Sequence, residues 1–258
     1  MSTTNSGRVP AAPAPKPAVV FDFDGTVCIG DEPVRAYAAA VLARSEAAPA
    51  VASEVTEALE SFLSGRSGAS DFLDGYAAVA ALTAPFATPE QQEDAYQSTR
   101  QELAAGGILV TAPAGLAALL HELAPLAERV LVTNAPETGI ASTLDAIGLG
   151  GCFDRVFTSA GKPSGWSAIL PELTTAAGRP AERVLSIGDI WVNDLAEPFA
   201  AGSAVFLIDR FGAASAAETP HAAAATIEQL YPAISAWARD PEAFGAAAAA
   251  EPQLEASA

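Results

Sequence analysis

The chain has 258 residues, 50% of them hydrophobic, and a formal net charge of −18 at pH 7. That length suits one ordinary core with a smaller attached domain, and so acidic a composition excludes a basic surface for gripping nucleic acid or anionic membranes. The two cysteines, Cys28 and Cys152, have no metal-ligand spacing, so we expect free thiols and a cytoplasmic location.

The two ends of the chain are low in sequence complexity. Residues 1–16 are rich in Pro and Ala and lack the continuous apolar stretch of a secretory signal, while residues 240–258 are dominated by Ala. Neither segment has enough large apolar side chains to offset the entropy lost on ordering. We therefore expect a disordered leader and a low-complexity tail. No later apolar run approaches the ~20 residues of a membrane-spanning helix.

Short apolar runs between these ends predict five β-strands, over residues 18–23, 129–134, 155–159, 183–189 and 204–209. Segments with helical periodicity separate the last four. Continuous apolar strands are typical of a parallel sheet that is covered on both faces, and their alternation with helices indicates right-handed crossovers. The sequence therefore predicts an α/β fold with a doubly wound parallel sheet, formed by residues 17–31 and 107–239.

Residues 32–106 depart from this alternation and predict an all-helical insert. The segment "VASEVTEALESFL" places its large apolar residues on one helical face, namely Val51, Val55, Leu59, Phe62 and Leu63. The last helix of the insert has clear boundaries, because Thr88, Pro89 and Gln91 fit an N-cap, a first-turn proline and a capping box. Gly106 suits a left-handed stop at its end.

Polar side chains follow the predicted strands where each strand ends. These candidates are Asp22 and Asp24 after the first strand, Thr133 and Asn134 at the second, Lys162 after the third, and Asp189 and Asp194 at the fourth. In an open α/β sheet, ligands bind beyond the carboxyl ends of the strands, near the point where strand order reverses. Carboxylates that meet in one cleft repel one another, so either some stay protonated or a hard divalent cation such as Mg²⁺ binds them.

Asp22 and Asp24 can have different chemical roles. One carboxylate can act as metal ligand and nucleophile while its neighbour handles protons. At this point "DFDGT", residues 22–26, resembles the Asp-x-Asp-Gly-Thr motif of phosphatases in the haloacid dehalogenase (HAD) superfamily. Thr133 in "VLVTN", Lys162 and "GDIWVND" match the three later motifs in order. The resemblance covers residues 17–235 and implies a Rossmann-like core with the insert as a helical cap in the C1 position.

The resemblance also implies roles for the acids. Asp22 becomes the nucleophile that forms an aspartyl-phosphate, and Asp24 protonates the leaving oxygen before water hydrolyses the intermediate. Mg²⁺ is held by the Asp22 carboxylate, the Asp24 backbone carbonyl and Asp189. Asp194 supports this metal site or orients Lys162.

The same resemblance assigns the phosphate-binding groups. Thr133 and Lys162 bind the phosphoryl oxygens, with backbone amides around Gly25 and Asn134 as further donors. Residue usage supports Lys162 independently, because the chain has eleven arginines but only two lysines, the other being Lys16 near the start. Arginine is the usual basic residue of this chain, so a lysine at position 162 indicates a specific role.

Three functions fit these residues. The first is a Mg²⁺-dependent phosphatase acting on a small phosphorylated metabolite. The second is a sugar phosphomutase, which would share the same core residues, and the third is a catalytically idle HAD-fold binding module, which would not need to keep all of them. A dehalogenase is not expected to have an acid at position 24, so Asp24 favours the first two. Substrate and oligomeric state do not follow from the sequence.

Overall fold

The structure is a computed structural model that describes residues 15–66, 72–212, 214 and 217–243. Its centre is a six-stranded sheet in which every neighbouring pair is parallel, with the order β3-β2-β1-β4-β5-β6. The strands are β1 (Ala18–Phe21), β2 (Glu128–Val132), β3 (Arg155–Phe157), β4 (Val184–Gly188), β5 (Ala204–Ile208) and β6 (Ala222–Ala224). Most of the predicted leader and tail, residues 1–14 and 244–258, lies outside the described residues.

The five predicted strands are all present, although each ends one or two residues earlier than expected. The sixth strand, β6, was not predicted, because its three alanines carry little β propensity. In the central register, Ala18 pairs with Glu128 of β2 on one side and with Val184 of β4 on the other. Strand order therefore reverses at β1, and a cleft opens beyond its carboxyl end.

Helices cover both faces of the sheet, as predicted. Val19 and Phe21 of β1 point to one face, which is packed by α5 (Leu116–Leu123), α6 (Ile140–Ala146) and α9 (Ile227–Arg239). Ala18 and Val20 point to the other face, where α7 (Trp166–Leu173) packs, and α8 (Ala196–Ala200) lies against β5. No helix in the described part of the chain is long and apolar enough to cross a membrane.

The segment between β1 and β2 forms a helical cap with its own apolar core. Its helices are α1 (Glu32–Arg44), α2 (Pro49–Leu63), α3 (Gly75–Thr83) and α4 (Pro89–Ala104). The apolar face predicted for α2 is buried, except that Val51 is half-buried. The capping box at Thr88 and Gln91 is present, and Gly106 has φ +77° after α4. The predicted cap bounds, 32–106, stay a prediction.

A narrow neck joins the cap to the core. The Ile29 N–H donates to the Thr111 carbonyl at 2.9 Å, and the Thr111 N–H donates back to the Ile29 carbonyl at 3.1 Å. Gly30, with φ +131°, lies next to this bridge, where an added Cβ would be 3.7 Å from the Leu109 carbonyl. The chain thus leaves and re-enters the core at one place.

Candidate active site

The first motif forms a tight turn directly after β1. The Asp22 N–H continues the sheet by donating to the Ile187 carbonyl at 3.0 Å. Four backbone hydrogen bonds close the turn, among them those from Cys28 N–H to the Phe23 carbonyl at 2.8 Å and from Gly25 N–H to the Cys28 carbonyl at 2.9 Å. This geometry directs both acids of the motif toward the cleft.

Glycine is required at position 25 for two reasons. Its φ is +85°, and an added Cβ would lie 2.3 Å from Asp189 Oδ2. A side chain there would be strained and would displace the carboxylate of the fourth motif. The close approach of Gly25 therefore brings the first and fourth motifs together.

Lys162 is the buried cation of the site, with 7% of its surface exposed. Its Nζ donates to Asp22 Oδ1 at 2.7 Å, to Asp194 Oδ1 at 2.6 Å and to the Val132 carbonyl at 3.0 Å. Burial opposes the charged form, but the two carboxylates more than compensate, so the pKa of the ammonium is raised. Lys162 therefore stays charged and joins the first and fourth motifs.

Asn134 holds the backbone of Lys162. Its Nδ2 donates to the Lys162 carbonyl at 3.0 Å, and the Lys162 N–H donates to its Oδ1 at 2.6 Å. This side chain is therefore engaged, and a contact of Asn134 with phosphate would have to come from its backbone. Thr133 is buried beside it, and its Oγ1 accepts from Ala135 N–H at 3.0 Å. The hydroxyl proton of Thr133 remains free to be donated to an oxyanion.

Asp194 lies in a π-helical turn, Trp191–Leu195, that follows β4. Its Oδ2 accepts from the Ile190 N–H at 3.0 Å, and its carbonyl accepts from Ser186 Oγ at 2.8 Å. Gly188 permits this packing, since an added Cβ would be 2.4 Å from the Asp194 Cβ. Burial, together with the nearby Asp22 carboxylate, raises the pKa of Asp194 to about 7, against the opposing effect of Lys162.

Three of the predicted acids form a cluster that fits a hard cation. One carboxylate oxygen each of Asp22, Asp189 and Asp194 lies within 4.8 Å of the others. Asp189 Oδ1 is buried and accepts no hydrogen bond from any described residue. Burial, and then repulsion from the other two acids, raises the pKa of Asp189 well above its usual range. A buried carboxylate oxygen that accepts no hydrogen bond is available to bind a metal ion. The three carboxylates together offer the oxygen ligands that Mg²⁺ prefers.

Asp24 lies apart from this cluster and faces the cap. Burial raises its pKa to about 6, the Arg100 guanidinium opposes the shift, and the Asp22 carboxylate adds to it. Arg100 of α4 was missed by the sequence reasoning, and its Nη1 lies 3.7 Å from Asp24 Oδ1. A signal was present, because Arg100 shares the buried face of α4 with Thr99 and Leu103, where a charged residue is unusual.

The cleft between cap and core has a volume of about 1010 Å³. Its core side is polar, and its cap side is largely apolar and aromatic, with Phe72, Tyr76 and Tyr96 among the lining residues. Trp191 lines the cleft and also packs against Leu195. The space exceeds the needs of a phosphate group alone and leaves room for the rest of a substrate.

A family model described as haloacid dehalogenase-like hydrolase matches residues 16–202. A comparison with curated protein sequences gives no match. Among solved structures, the chain is similar to a HAD family hydrolase from Deinococcus radiodurans with bound phosphate and sodium, with 18% identity and a TM-score of 0.54 over 86% of this chain and 96% of that one.

Two further solved structures have the same fold. One is the putative HAD-hydrolase YfnB from Bacillus subtilis bound to magnesium, with 17% identity and a TM-score of 0.55 over 85% of this chain and 99% of that one. The other is the L-2-haloacid dehalogenase from Xanthobacter autotrophicus with chloropropionic acid covalently bound, with 17% identity and a TM-score of 0.52 over 85% and 98%. At these identities, the likeness concerns the fold.

Proposed function

The chain belongs to the haloacid dehalogenase-like hydrolases, and from this premise we propose that it is a Mg²⁺-dependent phosphatase. It is a phosphoric monoester hydrolase that cleaves a small phosphorylated metabolite through an aspartyl-phosphate on Asp22. That metabolite is its partner, with no role for nucleic acid or a membrane, and the proposed location is the cytoplasm.

The carboxyl group of Asp24 is the observation that favours a phosphatase over a dehalogenase. An alkoxide that leaves phosphorus needs a proton, whereas a halide ion leaves carbon without one. Asp24 reaches the cleft beside Asp22, and a carboxyl pKa of about 6 suits a group that gives and takes a proton near neutral pH. A dehalogenase would have no use for this second acid.

In the first step, a carboxylate oxygen of Asp22 attacks phosphorus and the bond from phosphorus to the leaving oxygen breaks. The proton of Asp24 passes to that oxygen, which leaves as an alcohol. The Thr133 hydroxyl and backbone amides around Gly25 and Asn134 donate to the phosphoryl oxygens, while Lys162, whose three donors are engaged, contributes its positive charge. The Gly25 N–H itself donates to the Cys28 carbonyl, so this role falls to its neighbours in the turn. Lys162 also fixes the Asp22 carboxylate through its 2.7 Å hydrogen bond.

In the second step, Asp24 is ionised and accepts a proton from water, whose oxygen attacks the phosphorus of the aspartyl-phosphate. The bond to Asp22 breaks, phosphate leaves, and both acids return to their starting states. Asp24 therefore acts first as acid and then as base.

Mg²⁺ fits this site through the Asp22 carboxylate, the Asp24 backbone carbonyl and Asp189, while Asp194 orients Lys162. Bound there, the cation supplies positive charge that lowers the repulsion between the nucleophile and an anionic phosphate ester. The buried Asp189 oxygen without a described donor supports its inclusion in this set.

The test is a screen of metabolite phosphates for release of inorganic phosphate, with Mg²⁺ and with EDTA. We expect release that EDTA abolishes and Mg²⁺ restores. The same protein is incubated with 2-chloropropionate, from which we expect no chloride. Chloride release without phosphate release would overturn the proposal, and so would full phosphatase activity in chelator. Transfer of phosphate between two hydroxyls of one sugar, without release, would identify a phosphomutase.

Asp24→Asn gives a second test of the mechanism. Because p-nitrophenolate leaves without help, the first step should survive with p-nitrophenyl phosphate while hydrolysis of the aspartyl-phosphate becomes slow. We expect a burst of p-nitrophenol stoichiometric with enzyme, and a much larger loss of first-step rate with alkyl phosphates. Equal losses on both substrates without a burst would contradict acid–base catalysis by Asp24.

A further inference from the structure

Arg100 is the most unusual charged residue in the described part of the chain. It lies on cap helix α4 and is 1% exposed. None of its three guanidinium nitrogens makes a well-aligned hydrogen bond with a described residue, although the buried Tyr76 hydroxyl lies beside the guanidinium and stabilises its charge. A buried cation without well-aligned hydrogen bonds is destabilising, so one that persists requires an explanation.

The acid nearest to this guanidinium is Asp24. The 3.7 Å separation of Arg100 Nη1 and Asp24 Oδ1 is an ion-pair distance, too long for a hydrogen bond. The Asp24 carboxylate accepts no hydrogen bond from another described group, whereas Asp22 and Asp194 are both fixed by Lys162. Arg100 is therefore the cation that lies within ion-pair distance of Asp24 in the described part of the chain.

The surroundings of Arg100 fix its position relative to the core. Its α4 helix lies close to Gly139 of the core, where an added Cβ would be 2.8 Å from the Ala104 Cβ. In the cap, Tyr37, Tyr76 and Tyr96 pack against one another with ring centroids 5.7–5.9 Å apart, and Tyr76 and Tyr96 line the cleft. Arg100 thus lies beside Asp24, Tyr76 and Tyr96, on a helix that packs against the core.

We propose that Arg100 is a positioning residue through which the docked cap holds the Asp24 carboxylate toward the leaving oxygen of the substrate. This rests on the proposed function. The Arg100 guanidinium attracts the Asp24 carboxylate away from the acid cluster. The proton donor, Asp24, and the nucleophile, Asp22, are thereby held at separate positions in the site. The cap therefore completes the catalytic geometry as well as enclosing the substrate.

The test compares Arg100→Met with the wild type on glycerol 2-phosphate and p-nitrophenyl phosphate. Methionine retains the apolar stem among the tyrosines but removes the charge. We expect kcat/KM to fall on the order of tenfold more for the alkyl ester than for the aryl ester, mainly in kcat, because only the alkoxide needs a well-placed proton donor. Arg100→Lys should recover part of this difference, and it serves as the variant to measure if Arg100→Met does not fold.

The matched control is Arg44→Met, which removes an exposed arginine that donates to Ser98 of the same helix α4. It should leave the ratio of the two activities unchanged. In an Asp24→Asn background, Arg100→Met should change that ratio by less than about twofold, because its effect acts through Asp24. Equal losses on both esters, or an undiminished effect of Arg100→Met in the Asp24→Asn background, would overturn the positioning role.

A stability cycle separates this proposal from the proposed function. If the wild type hydrolyses neither these esters nor any metabolite phosphate of the screen, the phosphatase assignment fails, and the contact is still tested by the unfolding temperatures of Arg100→Met, Asp24→Asn and the double variant without metal. We expect the double variant to be more stable than the sum of the single changes, because the double variant leaves neither charge without its partner. Additive changes would overturn the proposal.

Discussion

Lys162→Met tests whether one ammonium balances the acids of the site. The substitution removes the donor that joins Asp22 and Asp194 and leaves both carboxylates in a buried place. Removing one member of a buried ion pair typically costs about 3–5 kcal/mol, because the remaining charge is uncompensated. We expect a loss of this size in metal-free protein at pH 8.

The loss should shrink as pH falls. Burial already raises the pKa of Asp194 to about 7, and removal of Lys162 raises it further. An acid with a raised folded-state pKa binds more protons in the folded state, so its burial costs stability as pH rises through the window from about 4 to above 7. At pH 5 the carboxyl is neutral, and the expected cost falls to about 1–3 kcal/mol for lost hydrogen bonds, including the one to Val132.

The assay is urea unfolding in EDTA at pH 5 and pH 8, followed by tryptophan fluorescence. Trp166, Trp191 and Trp237 all lie in the α/β core, so the signal reports on the part that contains Lys162. A loss of this size lowers the pH 8 midpoint by roughly 1–2 M. The control is Lys16→Met, since the exposed Lys16 donates, within the described part of the chain, to the Ala124 carbonyl alone. A loss for Lys162→Met that does not change with pH would refute the reasoning.

Three further predictions concern the first motif and Cys28, which closes the turn after it. Asp22→Asn should abolish turnover yet raise the unfolding temperature of metal-free protein, because the acid cluster then holds two carboxyls instead of three; a lower temperature would show that the Asp22 ion pair with Lys162 outweighs the repulsion. Gly25→Ala should weaken Mg²⁺ binding in a calorimetric titration, because the new Cβ collides with Asp189. Gly148→Ala, with a similar φ and open space, is its control and should leave Mg²⁺ binding unchanged. Cys28 is 4% exposed and burial raises its pKa to about 12, so iodoacetamide at pH 8 should label it only after unfolding; rapid labelling of the folded protein would contradict this.

The site residues that could be predicted best from the sequence are those at the carboxyl ends of the strands. Asp22, Lys162 and Asp194 are far apart in the chain, yet parallel strands carry their carboxyl ends to one edge, so their meeting was predictable from the strand pattern. The capping box at Thr88 was equally predictable, because it depends on residues three positions apart.

The features that the sequence did not predict depend on packing between distant elements. Arg100 gains its place beside Asp24 only when α4 docks against the core. The hydrogen bonds of Asn134 to the Lys162 backbone require two loops to meet in one register. Similarly, the alanines of β6 form a strand because β5 offers them a free edge, which local propensity cannot reveal.

The neck at Ile29 and Thr111 has a consequence for how such a protein can diversify. Two backbone hydrogen bonds hold these positions side by side, so the ends of the inserted segment are already joined. The entropy of closing a loop rises only slowly with its length, and the pairing of β1 with β4 does not depend on what is inserted. The neck is therefore a position at which the whole cap can be replaced by another domain, in evolution or by design. The site residues of the core stay unchanged in such a replacement.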